Sequence, residues 1–380
     1  MSTSHGKTWI EVSRSALVHN AATLKRTVGA KVKLMAVVKS NAYGHGIAET
    51  VRAIGSSVDW FGVDALHEAE KIRAAGNKKP VLILGYTPQG DLKRAVKAGF
   101  SLTVYNQETI AELDRIATTK TPTKIHLKLE TGTSRQGILA ANIVSFAKAL
   151  RKNKHIIVEG MSTHYANIED TTDHSYAMSQ LNRFNAMVRA FEMEGIVSKE
   201  KHTACSAAAL LYPQTYFTMV RAGIALYGLW PSKETRVSVA NSGKKITLHP
   251  ALSWKTLIAQ VKTLPKGASV SYGLTERLTR DSKIAVIPVG YWDGFDRRFA
   301  SIGHALVRGR RAKVLGRICM NMCVVDVTDI PGIRVEDDVV MIGRQKKETL
   351  TAEDLATAIG TINYEIVTRI NPLTPRVLVP

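Results

Sequence analysis

A lysine stands where a buried strand is predicted to end. Lys39 follows the apolar run of residues 34–38 and precedes the glycine-containing segment SNAYGHG, a placement typical of the carboxyl end of a barrel strand. Partly apolar surroundings lower the pKa of an ammonium group, and the neutral amine can then form a Schiff base with a carbonyl cofactor such as pyridoxal phosphate. The competing interpretation is a surface lysine whose stem lies along the protein, so Lys39 must be judged from the rest of the chain.

The three cysteines indicate neither a disulfide framework nor a metal site. Their count is odd in a chain of 380 residues, which is typical of a protein from a reducing compartment such as the cytoplasm. Cys319 and Cys323 lie in the apolar segment RICMNMCVVDV, which has no CxxC pair and no paired histidine. Zinc sites require such pairs, so we expect ordinary burial of these thiols and no bound metal.

The elements that must position Lys39 alternate between strand and helix over the first 230 residues. Short β-branched runs are followed by amphipathic stretches of helical period, such as residues 67–76, 107–119 and 175–195. Eight such units in about 200 residues favour a parallel (β/α)8 barrel over the alternative, an open doubly wound sheet. The eight predicted strands are residues 34–39, 60–66, 81–86, 101–106, 124–130, 157–165, 202–207 and 217–224.

The pattern changes near Pro231, where the polar segment PSKETRVSVANSGKK at 231–245 is predicted to be a linker. Closely spaced strands follow with almost no helix, apart from residues 352–360, for which Thr351 is a suitable N-cap. The chain is therefore predicted to be an α/β protein with a barrel domain at 1–240 and a β-rich domain at 241–380. We expect residues 1–12 to add a strand to the β-rich domain.

Composition and charge limit the classes of partner. Hydrophobic residues make up 45% and charged residues 22% of the chain, as in an ordinary globular protein. The net charge of +20 raises the question of nucleic-acid binding. The densest basic stretches, 25–33 and 308–317, lack the interleaved aromatic residues of a base-stacking surface. No apolar run approaches the ~20 residues of a membrane span, and the first residues show no signal-peptide pattern. We expect neither a nucleic acid nor a membrane as partner.

The segment AVVKSNAYGHG around Lys39 resembles the cofactor-lysine segment of alanine racemases. The likeness continues, in the family's order and over nearly the whole chain, through KLETGTSRQG, THYA, HTACSAAA, VRAGIALYGLWPS, PALSWKT, VSYG, GYWDGF, GRICMNMCVVDVT and GTINYE. This resemblance implies a barrel followed by a β-domain, pyridoxal phosphate as cofactor, and an isomerase that interconverts L- and D-alanine. It also implies a cytoplasmic homodimer with shared active sites that supplies D-alanine for peptidoglycan.

The resemblance assigns two acid–base groups. Lys39 corresponds to the family's Schiff-base lysine and first catalytic base, and Tyr272, contributed by the partner subunit, corresponds to the second. Racemisation removes a proton from one face of the α-carbon and returns one to the other, so two such groups must flank it. A free tyrosine has a pKa near ~10, and His164 and Arg221 would supply the hydrogen bonds or charge that make the phenol a base. Arg221 matches the arginine placed against the pyridine nitrogen, where a guanidinium donates but does not readily give up its proton.

The remaining site residues are also carried over from the family. The residues matching the phosphate site are Tyr43, Ser206, Gly223, Ile224 and Tyr364. Those matching the substrate site are Arg135, Met320, Tyr291 and Asn321. Arg135 corresponds to the arginine that contacts the cofactor's phenolic oxygen and the substrate carboxylate. Lys128 corresponds to a lysine that is carbamylated in many members and orients that arginine.

Three departures from the family pattern bear on substrate choice. The chain has the segment ETGT at 130–133 where Asp-Thr-Gly-Met is usual, Cys205 where Asn is usual, and Asn321 where Asp is usual. The change at Asn321 removes a charge at the substrate entrance, a feature shared with broad-spectrum amino-acid racemases. A serine or broad-spectrum racemase is therefore the alternative enzyme. A remoter alternative is a non-catalytic carrier of pyridoxal phosphate, a class that lacks the second domain.

Overall fold

The computed structural model describes residues 6–380 of the chain, which form two compact units. The barrel unit consists of Ser15–Ala42 and Thr50–Pro250. The β unit combines the described part of Met1–Arg14 with Tyr43–Glu49 and Ala251–Pro380. Residues 1–5, which belong to the strand expected at 1–12, lie outside the described residues.

After strand β1 (Thr8–Ser13), which belongs to the β unit, the chain enters the predicted barrel. The eight barrel strands are β2 (Lys33–Val37), β3 (Trp60–Val63), β4 (Val81–Ile83), β5 (Ser101–Val104), β6 (Thr123–Lys128), β7 (Ile156–Ser162), β8 (Glu200–His202) and β9 (Met219–Ala222). They are parallel neighbours in the order β8-β7-β6-β5-β4-β3-β2-β9. The amide of Arg221 in β9 donates to the carbonyl of Ala204, just beyond β8, at 3.0 Å. This bond nearly closes the sheet, so the barrel prediction is confirmed.

Helices alternate with these strands, as the apolar periodicity predicts. They are Arg14–Val28, Ile47–Ile54, Leu66–Ala74, Gln89–Lys97, Gln107–Ile116, Ile143–Arg151, Ser175–Met193, Ser206–Leu211 and Lys233–Asn241. Short 3-10 turns occupy Ala140–Asn142, Pro213–Thr215 and Ile224–Tyr227. Part of the barrel interior is a cluster of buried apolar side chains, Met35, Trp60, Leu82 and Met219, one from each of four strands.

The predicted linker at 231–245 is wrong, because most of it is helical. Lys233–Asn241 forms a helix whose N-cap is Ser232, and the Ser232 hydroxyl accepts a hydrogen bond from the amide of Thr235 at 3.0 Å. Thr235 and Val239 are buried and lie four residues apart on one helix face. The N-cap serine was the sequence signal for this helix, and the high polarity of the segment concealed it.

The β unit is built on one large sheet and two small ones. Its strands after β9 are β10 (Leu252–Leu257), β11 (Gln260–Leu264), β12 (Ser269–Val270), β13 (Glu276–Arg277), β14 (Ser282–Ile287), β15 (His304–Val307), β16 (Arg310–Lys313), β17 (Cys323–Asp326), β18 (Asp338–Gln345), β19 (Glu348–Leu350) and β20 (Arg376–Val379). The large sheet runs β16-β15-β18-β10-β1-β20, with β19 paired to β18. In its centre the buried Trp254 donates to the Thr8 hydroxyl at 2.9 Å. The β1 strand is thus an integral part of this sheet.

Two α-helices, Ala352–Ile359 and Asn363–Thr368, and three 3-10 turns complete the β unit. The first helix was predicted, and its N-cap is confirmed: the Thr351 hydroxyl accepts from the amide of Asp354 at 3.0 Å, and the Asp354 carboxylate accepts from the amide of Thr351. The second helix was missed. Over residues 6–380, no helix combines the length and hydrophobicity that crossing a bilayer requires.

Candidate active site

Lys39 lies just after β2, at the start of an unusual turn. Residues 40–43 all have φ between +52° and +54°, so four consecutive non-glycine residues adopt the left-handed helical conformation. Each such residue costs roughly 1–2 kcal/mol, so the surrounding structure must hold the turn in place. The buried Glu68 contributes, because its carboxylate accepts from the amides of Asn41 and Asp64 at 3.3 and 2.9 Å.

The amine of Lys39 faces an acidic partner that was not predicted from the sequence. Lys39 Nζ lies 3.5 Å from Asp64 Oδ1, and Asp64 directly follows β3. The carboxyl ends of neighbouring parallel strands meet at one end of a barrel. Position after a strand was therefore the signal that would have found Asp64.

Arg221 is the most firmly held cation of the barrel unit. Its Nη1 donates to Nδ1 and to the carbonyl of His202, each at 2.7 Å, and its Nη2 donates to the carbonyls of Thr163 and Thr203 at 2.7 and 3.0 Å. Burial lowers the pKa of Arg221 to about 10, so the guanidinium stays charged at neutral pH. Among the described residues none bonds to Nε, which leaves this N–H for a ligand.

His164 lies within the electrostatic reach of four cationic side chains. Burial, followed by the charges of Lys128, Arg221, Arg135 and Lys39, lowers its pKa well below the usual value. The imidazole is therefore neutral at neutral pH and keeps one ring nitrogen that can accept a hydrogen bond. The same charges show that the fold brings these predicted site residues together.

Lys128, at the end of β6, lies among cations without a counter-ion. Burial, Arg221 and Arg135 lower its pKa well below the usual value, and Glu130 opposes this only in part. Over residues 6–380 its amine has no hydrogen-bond or ion-pair partner. A neutral amine in such a place is a nucleophile.

The segment that carries Arg135 is organised by the carboxylate of Glu130. That carboxylate accepts from the amides of Thr133 and Arg135 at 2.8 and 3.3 Å, and from the amide of Gly132. Although burial raises the pKa of Glu130, these backbone hydrogen bonds lower it overall. Arg135 is exposed and borders a cavity of about 390 Å³, whose lining residues are Thr133, Arg135, His164, Tyr165, Ala166, Asn167, Ile168, Glu169 and Cys205.

One face of the helix Ser175–Met193 braces this cavity. Tyr176 donates to the carbonyl of Gly132 at 2.7 Å, and Arg183 donates to the carbonyl of Thr131 at 3.0 Å. Between them the fully buried Gln180 accepts from the amide of Ala166 at 2.8 Å and donates to the carbonyl of His164 at 3.1 Å. Sequence reasoning missed this brace, although the spacing of 176, 180 and 183 is a helical stripe.

A hydroxyl and several backbone amides meet just beyond β8 and β9. The Ser206 hydroxyl accepts from the amides of Gly223 and Ala225 at 2.9 and 3.3 Å. Ile224 begins a 3-10 turn, and the first amides of a helical turn have no partner within it. Backbone amides and a hydroxyl after late barrel strands form a common phosphate cradle.

The β unit holds the other predicted site residues. Tyr43 and Tyr364 are neighbours, with ring centroids 6.1 Å apart. Met320 and Tyr291 lie on two loops joined by backbone bonds, from the Tyr291 amide to the Cys319 carbonyl and from the Trp292 amide to the Met320 carbonyl. The two loops can approach closely because the Tyr291 loop contains Gly290. A Cβ at this position would lie 2.2 Å from the Cys319 carbonyl oxygen.

Tyr272 belongs to the same loop cluster of the β unit. The hydroxyl of the preceding Ser271 lies 3.6 Å from the thiol of Cys319, two residues before Asn321, which is half-buried. The side chain of Tyr272 is 70% exposed, and that of Met320 is 55% exposed. These residues are presented outward by the single chain.

All three cysteines are free, and Cys205 borders the cavity. Burial raises the pKa of the Cys205 thiol, so this side chain is neutral where the family usually has an amide. Within the part of the chain that the structure describes, no group of three or more potential metal-ligating side chains occurs. The predicted site residues of the barrel unit thus include a lysine amine, a firmly held guanidinium, a neutral imidazole and backbone amides around a hydroxyl.

Known proteins resemble this chain over nearly its whole length. The family model "Alanine racemase, N-terminal domain" matches residues 12–231, and "Alanine racemase, C-terminal domain" matches residues 251–378. The alanine racemase of Leptospira interrogans is 38% identical over 376 residues, covering 98% of this chain and 95% of that protein. The alanine racemase of Methanococcus maripaludis is 37% identical, covering 97% and 98%.

Solved structures agree with these sequence relatives. The crystal structure of alanine racemase from Bacillus anthracis with bound L-Ala-P has a TM-score of 0.92 at 33% identity, covering 98% of this chain and 95% of that one. Alanine racemase from Streptomyces coelicolor has a TM-score of 0.89 at 33% identity, covering 98% of each chain. The chain belongs to the alanine racemase family.

Proposed function

We propose that this chain is a pyridoxal-phosphate-dependent racemase that interconverts L- and D-alanine. The observation that carries the proposal is the gathering of Lys39, His164 and Arg221 in the barrel unit, where the charges of Lys39 and Arg221 both act on His164. An amine nucleophile, a fixed guanidinium and a neutral imidazole are the groups that this chemistry requires.

The residues present fit the cofactor. The Nε–H of Arg221 has no partner among the described residues and can donate to an unprotonated ring nitrogen. In our proposal the phosphate is held by Ser206, Gly223 and Ile224, where the Gly223 amide orients the Ser206 hydroxyl, and by the hydroxyls of Tyr43 and Tyr364. Pyridoxal phosphate bound here supplies an electron sink that makes the α-proton of an amino acid removable. Lys39 provides its covalent attachment through Nζ.

Two residues move the proton. Lys39 Nζ takes or returns it on one face of the α-carbon, and the phenol oxygen of Tyr272 of the partner subunit does so on the other. The reaction needs this arrangement because its substrate and product are mirror images at that carbon. When the two residues meet, the neutral His164 forms a hydrogen bond with the phenol oxygen, which supports its use as a base.

Arg135 binds the substrate carboxylate, and Lys128 orients Arg135. An uncharged Lys128 amine can add carbon dioxide and release a proton to solvent, which gives a carbamate and places an anion among the arginines. The lowered pKa of Lys128 and its lack of a partner support this modification. Charge pairing would then fix the guanidinium of Arg135.

The enzyme acts as a homodimer in this proposal. Tyr272, Leu274, Trp292 and Met320 are 70, 65, 57 and 55% exposed in the single chain, and clustered apolar exposure of this kind marks interaction surfaces. Pairing of two copies would cover these side chains and place Met320, Tyr291 and Asn321 at the partner's substrate site. The free cysteines agree with the cytoplasmic location that we propose, where D-alanine serves peptidoglycan synthesis.

A broad-spectrum amino-acid racemase is the second candidate, favoured by a single observation. Asn321 removes a carboxylate at the proposed substrate entrance, and pockets for small side chains reject close analogues weakly. The site otherwise accommodates either activity.

A racemisation assay separates the two candidates. The purified, pyridoxal-loaded protein is incubated with L-alanine, L-serine, L-lysine or L-arginine, and each D-product is measured by chiral chromatography. We expect a strong preference for alanine. Comparable rates on the basic amino acids would instead establish a broad-spectrum enzyme, and no racemisation of any of them would refute the proposal. The variant Asn321→Asp serves as the matched comparison for the entrance.

A further inference from the structure

A chain of polar side chains crosses the barrel interior and ends at Arg221. His202 Nδ1 lies 2.7 Å from Arg221 Nη1, and His202 Nε2 lies 2.8 Å from His126 Nδ1. His126 Nε2 lies 3.5 Å from Glu159 Oε2, which also accepts from the Ser101 hydroxyl at 2.7 Å. Ser101 is the first residue of β5, so this series of side chains begins at the opposite end of the barrel from Lys39.

The direction of every hydrogen bond in this chain follows from its two ends. Arg221 can only donate, so His202 Nδ1 must accept and the proton of His202 must be on Nε2. That proton is donated to His126 Nδ1, which places the proton of His126 on its own Nε2. The ionised Glu159 can only accept, and it faces this last N–H. One order of donors therefore satisfies the two short bonds, and the last N–H faces the Glu159 carboxylate at 3.5 Å, a contact longer than an ordinary hydrogen bond.

A glycine on the neighbouring strand makes room for the buried His126 ring. His126 and His202 are fully buried, and a buried polar ring is costly unless its nitrogens are paired. Gly160 lies opposite His126 on the neighbouring strand β7, and a Cβ there would be 2.2 Å from His126 Nδ1. A larger residue at 160 would displace the ring. The observed position of His126 therefore requires glycine at position 160.

The charge states agree with the geometry. Burial lowers the pKa of His202 well below its usual value, and burial also lowers that of His126, with Glu159 opposing. Although burial raises the pKa of Glu159, the neighbouring His126 ring, the hydrogen bond from Ser101 and the charge of Lys124 lower it to about 2. At neutral pH these four side chains are therefore a carboxylate, two neutral imidazoles and a guanidinium.

We propose that Glu159 is a positioning residue for Arg221, acting through His126 and His202. Its negative charge polarises the two imidazoles in series, which strengthens His202 Nδ1 as an acceptor and fixes the plane of the guanidinium. This inference rests on the proposed function, because it concerns the arginine that we place against the cofactor ring. It assigns a role to a residue at the far end of the barrel from the reaction.

The first test is the protonation pattern, which needs no cofactor and no activity. The protein labelled with 15N-histidine is examined at pH 7.5 by multiple-bond 1H–15N correlation. The variants His126→Gln and His202→Asn assign the resonances of the two rings. We expect both rings to be neutral with the proton on Nε2. A proton on Nδ1 of either ring, or a doubly protonated ring, would overturn the proposal whether or not the protein is a racemase.

The second test removes only the charge. In Glu159→Gln we expect the His202 Nδ1 resonance to move, and in the pyridoxal-loaded enzyme we expect kcat for alanine to fall about tenfold, as for other outer partners of an active-site group. KM should stay within about twofold because Arg221 does not contact the substrate. Glu159 is also paired with Lys124, whose Nζ lies 3.4 Å from Glu159 Oε1. The matched control is therefore Glu192→Gln, which breaks a similar carboxylate–lysine pair, with Lys201 at 2.8 Å, and should change neither quantity.

The outcomes are distinct. If Glu159→Gln moves the His202 resonance and kcat no more than Glu192→Gln does, the chain is a packing feature and the proposal is wrong. If Glu159→Gln does not fold, His126→Gln, which cuts the next link, must give the same resonance shift and loss of kcat. An inactive wild-type protein would refute the proposed function, while the histidine pattern would still decide the hydrogen-bond chain.

Discussion

The two units hold their functional side chains in opposite ways. In the barrel unit Arg221 is 7% exposed and has four hydrogen bonds to backbone and histidine. In the β unit Tyr272 is 70% exposed. A buried group held by several hydrogen bonds is already in its working position, whereas an exposed one must be positioned by something else. The comparison indicates that the barrel unit is preorganised within one chain, and it agrees with our proposal that the β unit acts on a second chain.

Replacement of Lys39 tests the barrel side of this comparison with the largest effect. We expect Lys39→Ala to lower racemisation by at least about 10³-fold, because both the covalent attachment and one proton-transfer group are lost. The visible absorbance of the lysine-bound cofactor should disappear as well. Lys31→Ala, at an exposed lysine, is the control and should retain both. A Lys39→Ala variant with the wild-type spectrum would contradict the assignment.

Replacement of Lys128 tests whether the unpaired amine is modified. We expect Lys128→Ala to raise KM for alanine about tenfold, since Arg135 would lose the charge that orients it. With 13C-bicarbonate, the wild type should show a carbamate carbon resonance that the variant lacks. The exposed Lys148, changed to Ala, should leave both measurements unchanged. The carbamate proposal fails if the resonance persists in Lys128→Ala.

Acid should destabilise the barrel unit through its buried histidines. Burial lowers the folded-state pKa values of His126, His164 and His202. Below the unfolded value of ~6.5 the unfolded chain binds protons that the folded chain cannot, so stability is full above that pH and falls as the pH drops. The slope is about 1.4 kcal/mol per pH unit for each such histidine.

Urea unfolding at pH 7.5 and 5.5 measures this effect. We expect a lower midpoint at pH 5.5, and a smaller difference between the two pH values in His126→Gln. An unchanged midpoint would mean that the histidines are protonated in the folded protein.

The helix brace should give the smallest effect. Gln180→Ala leaves the Ala166 amide and the His164 carbonyl without their partner, which costs about 1–3 kcal/mol. We expect a lower melting temperature and a rise in KM of a few-fold, because the cavity wall loosens without loss of a reacting group. Gln89→Ala, at an exposed helical position, should change neither. A normal KM in Gln180→Ala would limit the brace to stability.

Much of the fold could be predicted from the sequence, because alternating β-branched and amphipathic segments leave a strong periodic signal. The eight barrel strands and the Thr351 cap are local in origin. The helix Lys233–Asn241 was missed because the polar residues of its exposed face resemble a linker. Its buried positions, Thr235 and Val239, are too few to give a clear apolar stripe.

The site was harder to predict than the fold, for physical reasons. The left-handed turn at 40–43 opposes the preference of every residue in it, and it depends on contacts such as the Glu68 carboxylate, which is distant in sequence. The partners of Lys39 and Arg221 likewise come from other strands. His126 and His202, polar residues within predicted strands, were the visible signals, but single histidines do not reveal that they meet.

The central claim is that two bases from two units act on opposite faces of one α-carbon. It is tested most directly by following exchange of the alanine α-hydrogen in deuterated water with pyridoxal-loaded Tyr272→Phe, starting separately from L- and D-alanine. We expect the cofactor spectrum to be unchanged, exchange to persist from one enantiomer only, and racemisation in both directions to fall by about 10²-fold or more. Full racemisation in both directions, or equal loss of exchange from both enantiomers, would contradict the account.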